Sequence, residues 1–265
     1  MTVAAKSVID RRSTGAPRAF DIADDETLPP EIADRLEGLQ RQYEGVTGLE
    51  LLQSMITDVF KDEIAVVSSF GSESAVLLHL AAQVDPTVPV IFLNTGKLFG
   101  ETLRYRDRLQ EAIGLTDIRA IGPHPSDEKE YDPDGILWNE DPDKCCHFRK
   151  VLPLKRALKG FSAQITGRKR FQTGARAAMK TIEYSDGRFK INPLANWGLD
   201  ELQRYVDRYK IPQHPLVKDG YLSIGCMPCT DRVKEGGDYR SGRWSGLDKD
   251  ECGIHGPSLT DGEGI

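Results

Sequence analysis

Five cysteines carry the clearest chemical pattern in this 265-residue chain: Cys145 and Cys146 are adjacent, Cys226-Met227-Pro228-Cys229 forms a C-x-x-C, and Cys252 stands alone near the end. A C-x-x-C by itself suits zinc or a redox disulfide equally. Joined to an adjacent pair about eighty residues earlier it says more. Neighbouring side chains at a helix start diverge by roughly 100°, which suits a bulky multi-iron cluster better than a two-knuckle zinc site. Cys145, Cys146, Cys226 and Cys229 are therefore expected to hold a 4Fe-4S cluster, and simple burial as small apolar residues explains their tight pairing less well. That leaves Cys252, in a Gly-rich stretch three residues before His255, as a candidate reactive thiol, with an incidental surface thiol as the alternative.

A second candidate is Ser69-Phe70-Gly71-Ser72-Glu73-Ser74, which follows an apolar β-rich run and precedes a helical pattern. Such a turn offers backbone N-H groups, hydroxyls and the positive end of a helix dipole to an anion. A phosphate site and a plain tight turn with Ser74 as N-cap fit the loop equally well. It is neither a Walker A sequence nor a Rossmann glycine fingerprint.

The elements that must position these residues alternate. Short β-rich runs at Ile64 to Ser68, Pro89 to Leu93, Ile118 to Ile121 and Ala163 to Thr166 are interleaved with helical patterns at Ala75 to Val84 and Glu101 to Ile113. This order predicts right-handed βαβ units, a doubly wound, mainly parallel α/β sheet, and ligands beyond the carboxyl ends of its strands. Two amphipathic helices are expected between Pro29 and Phe60, a further helix from Cys145 to about Leu158, a short β segment at Arg188 to Ile191, and a helix from Leu199 to Tyr209. The expected organisation is a mobile arm over 1–28, one α/β domain over 29–234, and a flexible tail over 235–265 that carries Cys252. Trp138, Trp197 and Trp244 read as packing residues, with Trp244 the one of the three open to contact with a partner.

Net charge is −6, with 39% hydrophobic and 29% charged residues. An acidic chain lacks the cationic surplus that nucleic-acid binding requires. No apolar run approaches the length of a membrane span, and Lys6, Arg11 and Arg12 lead into no signal-like apolar segment, so a cytoplasmic protein is expected. Assembly with further copies of the chain is compatible with the sequence.

Several segments resemble one family. The Ser69 to Ser74 loop is similar to the PP-loop of the adenine nucleotide α-hydrolase-like superfamily, Ser-Gly-Gly-X-Asp-Ser, with Phe70 at the first Gly and Glu73 at the Asp. That variant resembles the sulfonucleotide reductases. Asn94-Thr95-Gly96-Lys97-Leu98-Phe99-Gly100-Glu101-Thr102 resembles their Asp-Thr-Gly-X-X-Phe-X-Glu-Thr segment. Cys145-Cys146-His147-Phe148-Arg149-Lys150 resembles the Cys-Cys-X-X-Arg-Lys of the cluster-bearing members, and Glu251-Cys252-Gly253-Ile254-His255 resembles their Glu-Cys-Gly-Leu-His signature. On these motifs the chain is identified as a member of the iron-sulfur branch of the reductases of adenylyl sulfate and phosphoadenylyl sulfate.

The resemblance implies attack of Cys252 on the sulfate sulfur, release of AMP, and an S-sulfocysteine that thioredoxin or a glutaredoxin-like dithiol cleaves to sulfite, in assimilatory sulfate reduction and cysteine biosynthesis. It places Ser69, Phe70, Gly71, Ser72, Thr95, Gly96, Lys150, Arg168, Arg240, Arg243 and His255 around the substrate, with Lys169 and Arg170 left as solvated charges. The cysteine quartet points within the family to adenylyl sulfate, with dual use of the 3′-phosphorylated form as an alternative. A tRNA-thiolating PP-loop enzyme would carry Ser-Gly-Gly-X-Asp-Ser and a basic surface, and a cluster-bearing sensor would have no use for the Cys252 tail.

Overall fold

The computed structural model describes residues 28–234, 236–247, 249 and 251–254. In chain order, Pro30–Gln42 (α1) and Gly48–Ser54 (α2) lead into Ile64–Ser68 (β1), Ser74–Val84 (α3), Val90–Leu93 (β2), Gly100–Ile113 (α4) and Ile118–Ile121 (β3). Three short helices follow, Pro125–Tyr131 (α5), Leu137–Glu140 (α6) and Pro142–Cys146 (α7), and the last runs through a π-helical turn, His147–Val151, into Leu152–Ala157 (α8). Ala163–Thr166 (β4), Ile182–Ser185 (β5), Arg188–Ile191 (β6) and Leu199–Tyr209 (α9) complete the strands and α-helices among the described residues.

The six strands form one sheet in the order β3-β2-β1-β4-β6-β5, parallel except for the β5–β6 hairpin. Strands buried on both faces read as unbroken apolar runs, and β1 and β2 are buried at every position. Alternate residues serve opposite layers. Ile64, Val66, Val90, Phe92 and Ile165 join the main core with residues of α2, α3 and α4. Ala65, Val67, Ile91 and Leu93 meet Leu154 of α8 and Leu158 on the other face. The doubly wound α/β expectation therefore holds.

Two elements differ from the sequence reading. The cysteine helix begins earlier, because Pro142 takes the first turn and Asp141 Oδ1 accepts the Lys144 N-H at 3.0 Å as N-cap. The segment at Arg188 to Ile191 is one arm of a hairpin whose other arm, β5, alternates apolar and polar residues over only four positions, Ile182 to Ser185. Its turn is Asp186-Gly187, both at positive φ, the residues such a turn favours. Of the arm expected over 1–28, only Leu28 lies within the described residues.

Candidate active site

The chain leaves β1 toward β2 and β3 on one side and later returns to β4 on the other. Loops at the carboxyl ends of β1 and β4 therefore part, which opens a crevice at the switch point. A cavity of about 190 Å³ lies there, lined by the loops after β1, β2 and β4 and by the C-terminal segment.

The loop after β1 is shaped by backbone constraints. Phe70 has φ 50°, a left-handed conformation unfavourable for a side chain, which accounts for glycine at the matching position of the usual PP-loop. Its ring is fully buried and meets Phe92 edge-on at 5.2 Å. Gly71 is required sterically, since a Cβ there would lie 2.9 Å from the Ile224 carbonyl oxygen. Ser72 Oγ donates to Leu222 O at 2.5 Å and lies 3.1 Å from the Tyr239 hydroxyl, which ties the loop to later parts of the chain. Ser74 starts α3 rather than capping it; Glu73 occupies the cap position without a side-chain cap bond.

Six cationic side chains line the cavity, Lys150, Arg168, Lys169, Arg176, Arg240 and Arg243, against two carboxylates, Glu73 and Glu251. In a chain of net charge −6, this concentration of cations makes an anion site. Lys169 is not solvated: it is 1% exposed, its Nζ lies 2.8 Å from Glu73 Oε2, and burial lowers its pKa while Glu73 holds it up. Arg168 is committed to the neighbouring strand, with bonds to Glu183 Oε2 at 2.7 Å and Asn192 Oδ1 at 3.1 Å. Lys150 and Arg243 have no carboxylate within ion-pair distance among the described residues. Burial works against the charge on Lys150, but the sulfurs of Cys226, Cys146 and Cys252 outweigh it and raise its pKa. The Arg243 guanidinium occupies the space a side chain at Gly225 would fill.

Of the residues expected around a ligand, Ser69, Gly71, Ser72, Thr95, Lys150, Arg168, Arg240 and Arg243 meet at this cavity together with Cys252. Phe70 and Gly96 do not line it. Phe70 points into the core, and Gly96, at φ 71°, packs beside Arg149. His255 lies outside the described residues. Sequence reasoning missed Arg176, which follows the Arg168-Lys169-Arg170 run in an irregular turn, and the closing role of Tyr239 and Glu251.

Within the C-terminal segment, Tyr239, Arg240, Arg243, Trp244, Glu251 and Cys252 line the cavity, while Ser245, Gly246 and Leu247 are exposed. Trp244 is 3% exposed beneath three cations, with the Arg243 guanidinium carbon 4.4 Å, Lys249 Nζ 5.4 Å and Lys150 Nζ 5.8 Å from its ring centre. A partner therefore does not reach its ring. Cys252 is half-buried at the cavity wall.

The expected 4Fe-4S centre is not met by this structure. Among the described residues no group of three or more His, Cys, Asp or Glu side chains is placed to hold a metal ion. Cys145, Cys146, Cys226 and Cys229 do line a common cavity, but it measures about 10 Å³, the room of a single water. Protein groups engage two of the sulfurs instead: Lys150 Nζ donates to Cys146 Sγ at 3.2 Å, and Thr95 Oγ1 lies 3.2 Å from Cys226 Sγ. Burial pushes the Cys145 thiol up to about 12 and raises Cys146 and Cys229. The residues as placed do not fit the cluster, which overturns the expected iron-sulfur assignment.

Comparison with known proteins shows the family. Residues 63–232 match the family described as the phosphoadenosine phosphosulfate reductase domain. The chain is 49% identical to the adenosine 5′-phosphosulfate reductase of Mesorhizobium japonicum, over 84% of this chain and 88% of that protein. It is 48% identical to the protein of the same name from Chelativorans sp., over 87% of this chain and 96% of the relative. Among solved structures, phosphoadenylyl-sulfate reductase from Candida auris, in a phosphate complex, superposes with a TM-score of 0.65 at 26% identity, covering 77% of this chain and 98% of that one. No helix of the described residues is long and apolar enough to cross a membrane.

Proposed function

Because the chain belongs to the phosphoadenosine phosphosulfate reductase family, we propose that it reduces adenylyl sulfate to sulfite and AMP, with Cys252 as nucleophile. The observation that carries this reading is the position of Cys252 on the wall of a cavity with six cationic side chains. The choice of adenylyl sulfate rests on the relatives that share its name, not on a cysteine cluster.

In the reaction, the Cys252 thiolate attacks the sulfate sulfur, an S–S bond forms, and the bond from sulfur to the bridging oxygen breaks. AMP leaves with that electron pair, and the thiol proton passes to solvent. Lys150, Arg240 and Arg243 stand around the cavity where they offset the charge of the phosphate and of the sulfuryl group in transfer. The loop from Ser69 to Ser72 presents backbone N-H groups and hydroxyls to the nucleotide at the start of α3.

The resulting S-sulfocysteine is cleaved by a dithiol such as thioredoxin. A thiolate of the dithiol attacks Cys252 Sγ and sulfite departs. The second thiol then closes a disulfide and frees Cys252, so the dithiol loses the two electrons that sulfur gains. An external dithiol is favoured because each turnover consumes two electrons that must be supplied from outside the chain. The reading places the protein in the cytoplasm, in assimilatory sulfate reduction that feeds cysteine synthesis.

The test is direct. Protein incubated with adenylyl sulfate in the absence of thiols is expected to gain a sulfonate on the peptide holding Cys252, detected by mass spectrometry and lost as sulfite when reduced thioredoxin is added. The Cys252→Ser protein is expected to gain none. An unmodified Cys252 after incubation with either the simple or the 3′-phosphorylated nucleotide would overturn the reading.

A further inference from the structure

Arg176 lines the cavity with the other cations, but its guanidinium is taken up by Glu251, in the strongest contact of the C-terminal segment. Its Nε lies 2.6 Å from Glu251 Oε1 and its Nη2 lies 2.7 Å from Glu251 Oε2, a two-point pair with both side chains 11% exposed. Glu251 immediately precedes Cys252, and Thr173 Oγ1 reaches the same carboxylate at 3.3 Å. Arg176 is itself oriented, because Nη1 donates to Gln172 Oε1 and Gln172 Nε2 donates to Glu73 Oε2 in the loop after β1. A continuous chain of polar contacts thus runs from Glu73, at the start of α3, to the residue beside the nucleophile.

Two weaker fastenings flank this pair. Lys249 Nζ contacts Asp143 Oδ1 on α7, where the acid is exposed. Ile254 packs on the apolar cluster formed by Val67, Leu93 and Leu154. A two-point guanidinium pair fixes direction as well as distance, and this one lies one residue from the reacting sulfur. With Asp143 76% exposed, the Lys249 pair is screened by solvent and contributes less.

We propose that Arg176 is the positioning residue of the nucleophile: by clasping Glu251, with Gln172 setting its orientation against Glu73, it holds Cys252 at the cavity wall. The inference rests on the reading of Cys252 as the nucleophile, but the clasp itself is measurable without any nucleotide. Arg176 acts through Glu251 rather than on the substrate; removing either partner loses the clasp, and removing Glu251 also loses its longer contact with Arg240 Nη2 at 3.9 Å. Misplacement of a reacting group by about 1 Å lowers a rate on the order of 100-fold.

The experiment compares Arg176→Met, Glu251→Gln and the double variant. Without nucleotide, proteolysis of the C-terminal segment and alkylation of Cys252, mapped by mass spectrometry, are expected to quicken alike in all three. With nucleotide, single-turnover formation of the Cys252 adduct is expected to slow about 100-fold, the nucleotide Kd is expected to change less than about threefold, and the double variant is expected to be no slower than either single. Arg176→Lys, which keeps charge but loses the two-point geometry, is expected to fall between. Additive losses, or a Kd weakened by Arg176→Met alone, would mean that Arg176 holds the substrate and would overturn the proposal. Unchanged proteolysis and alkylation would overturn it as well. Absence of an adduct in the unaltered protein would instead sink the reductase reading, while the nucleotide-free measurements still decide the clasp.

Discussion

Arg149 Nη2 lies 2.7 Å from Asp132 Oδ2, with the two side chains 4% and 1% exposed. The same guanidinium donates through Nη1 to Glu128 Oε1 at 2.7 Å and to the Thr95 carbonyl at 2.8 Å. Burial disfavours the charge on Asp132, but the Leu137 N-H and Arg149 outweigh it and hold its pKa below the usual range. One side chain thereby joins the π-helical turn after α7, the segment around α5 and the loop after β2, and so fixes the neighbouring Lys150 at the cavity. Removing one partner strands a buried charge. Asp132→Asn and Arg149→Met are each expected to lower stability by about 3–5 kcal/mol in urea unfolding, and a double substitution is expected to cost less than the sum. A loss below about 1 kcal/mol in both singles would mark the pair as solvent-screened.

Phe70 offers a test of backbone strain. It is fully buried and also at φ 50°, so truncation removes packing while the backbone constraint stays. Phe70→Ala is expected to cost about 3–5 kcal/mol. Phe70→Gly removes one more carbon, yet it frees the left-handed position. It is expected to be the more stable of the two by about 0.5–1 kcal/mol, the reverse of the usual order. Denaturant midpoints of the two variants decide the matter, and a less stable glycine variant would show that the φ carries no strain.

The contrast between these residues marks how far the sequence could be read. The apolar run of Ile64 to Ser68 and the helical pattern of Ala75 to Val84 are local, and both elements form within one residue of where the pattern puts them. β5 was missed although Ile182, Glu183, Tyr184 and Ser185 alternate apolar with polar, because four residues are a short run for a period-2 signal, and Asp186-Gly187 was the stronger mark of the turn. Arg176 and Glu251 are 75 positions apart, and no local pattern encodes such a pair. Lys169 looked like a surface charge because its partner, Glu73, comes from another loop. The cysteine spacing grouped four residues around one small cavity, but spacing carries no information on how sulfurs are directed once burial and Lys150 act on them.

Arg243 and Gly225 give a prediction for anion binding. The guanidinium rests where a Gly225 side chain would stand, and it donates to the Cys229 carbonyl at 3.4 Å. In Cys252→Ser protein, which cannot react, Arg243→Met is expected to weaken adenylyl sulfate binding roughly 10- to 100-fold, from the loss of a charge-assisted bond of about 1.5–3 kcal/mol. Gly225→Ala is expected to weaken it in the same direction by pushing the guanidinium aside. Both effects are expected to shrink as salt rises. Calorimetric titration at two ionic strengths checks them, and an unchanged Kd for Arg243→Met would remove this residue from the site.

His214 provides a pH test with a definite sign. It is 1% exposed, its Nδ1 accepts the Leu216 N-H at 3.2 Å, and its Nε2 lies 3.0 Å from Thr102 Oγ1. An accepting Nδ1 requires the proton on Nε2, so the neutral ring donates to the Thr102 hydroxyl. A second proton would have to face the Leu216 N-H, and burial lowers the pKa to about 4 against the weaker opposing pull of Glu101. The unfolded chain therefore binds the proton first as pH falls. The stability that the neutral ring permits is complete above the unfolded value of about 6.5 and is lost progressively between about 6.5 and 4, by an amount on the order of 3 kcal/mol. A His214→Gln protein, with no proton to gain there, is expected to start less stable at pH 7.5 but to lose less between pH 6.5 and 4.5. Parallel losses in the two proteins over that window, measured by urea unfolding, would show that His214 is not the group responsible.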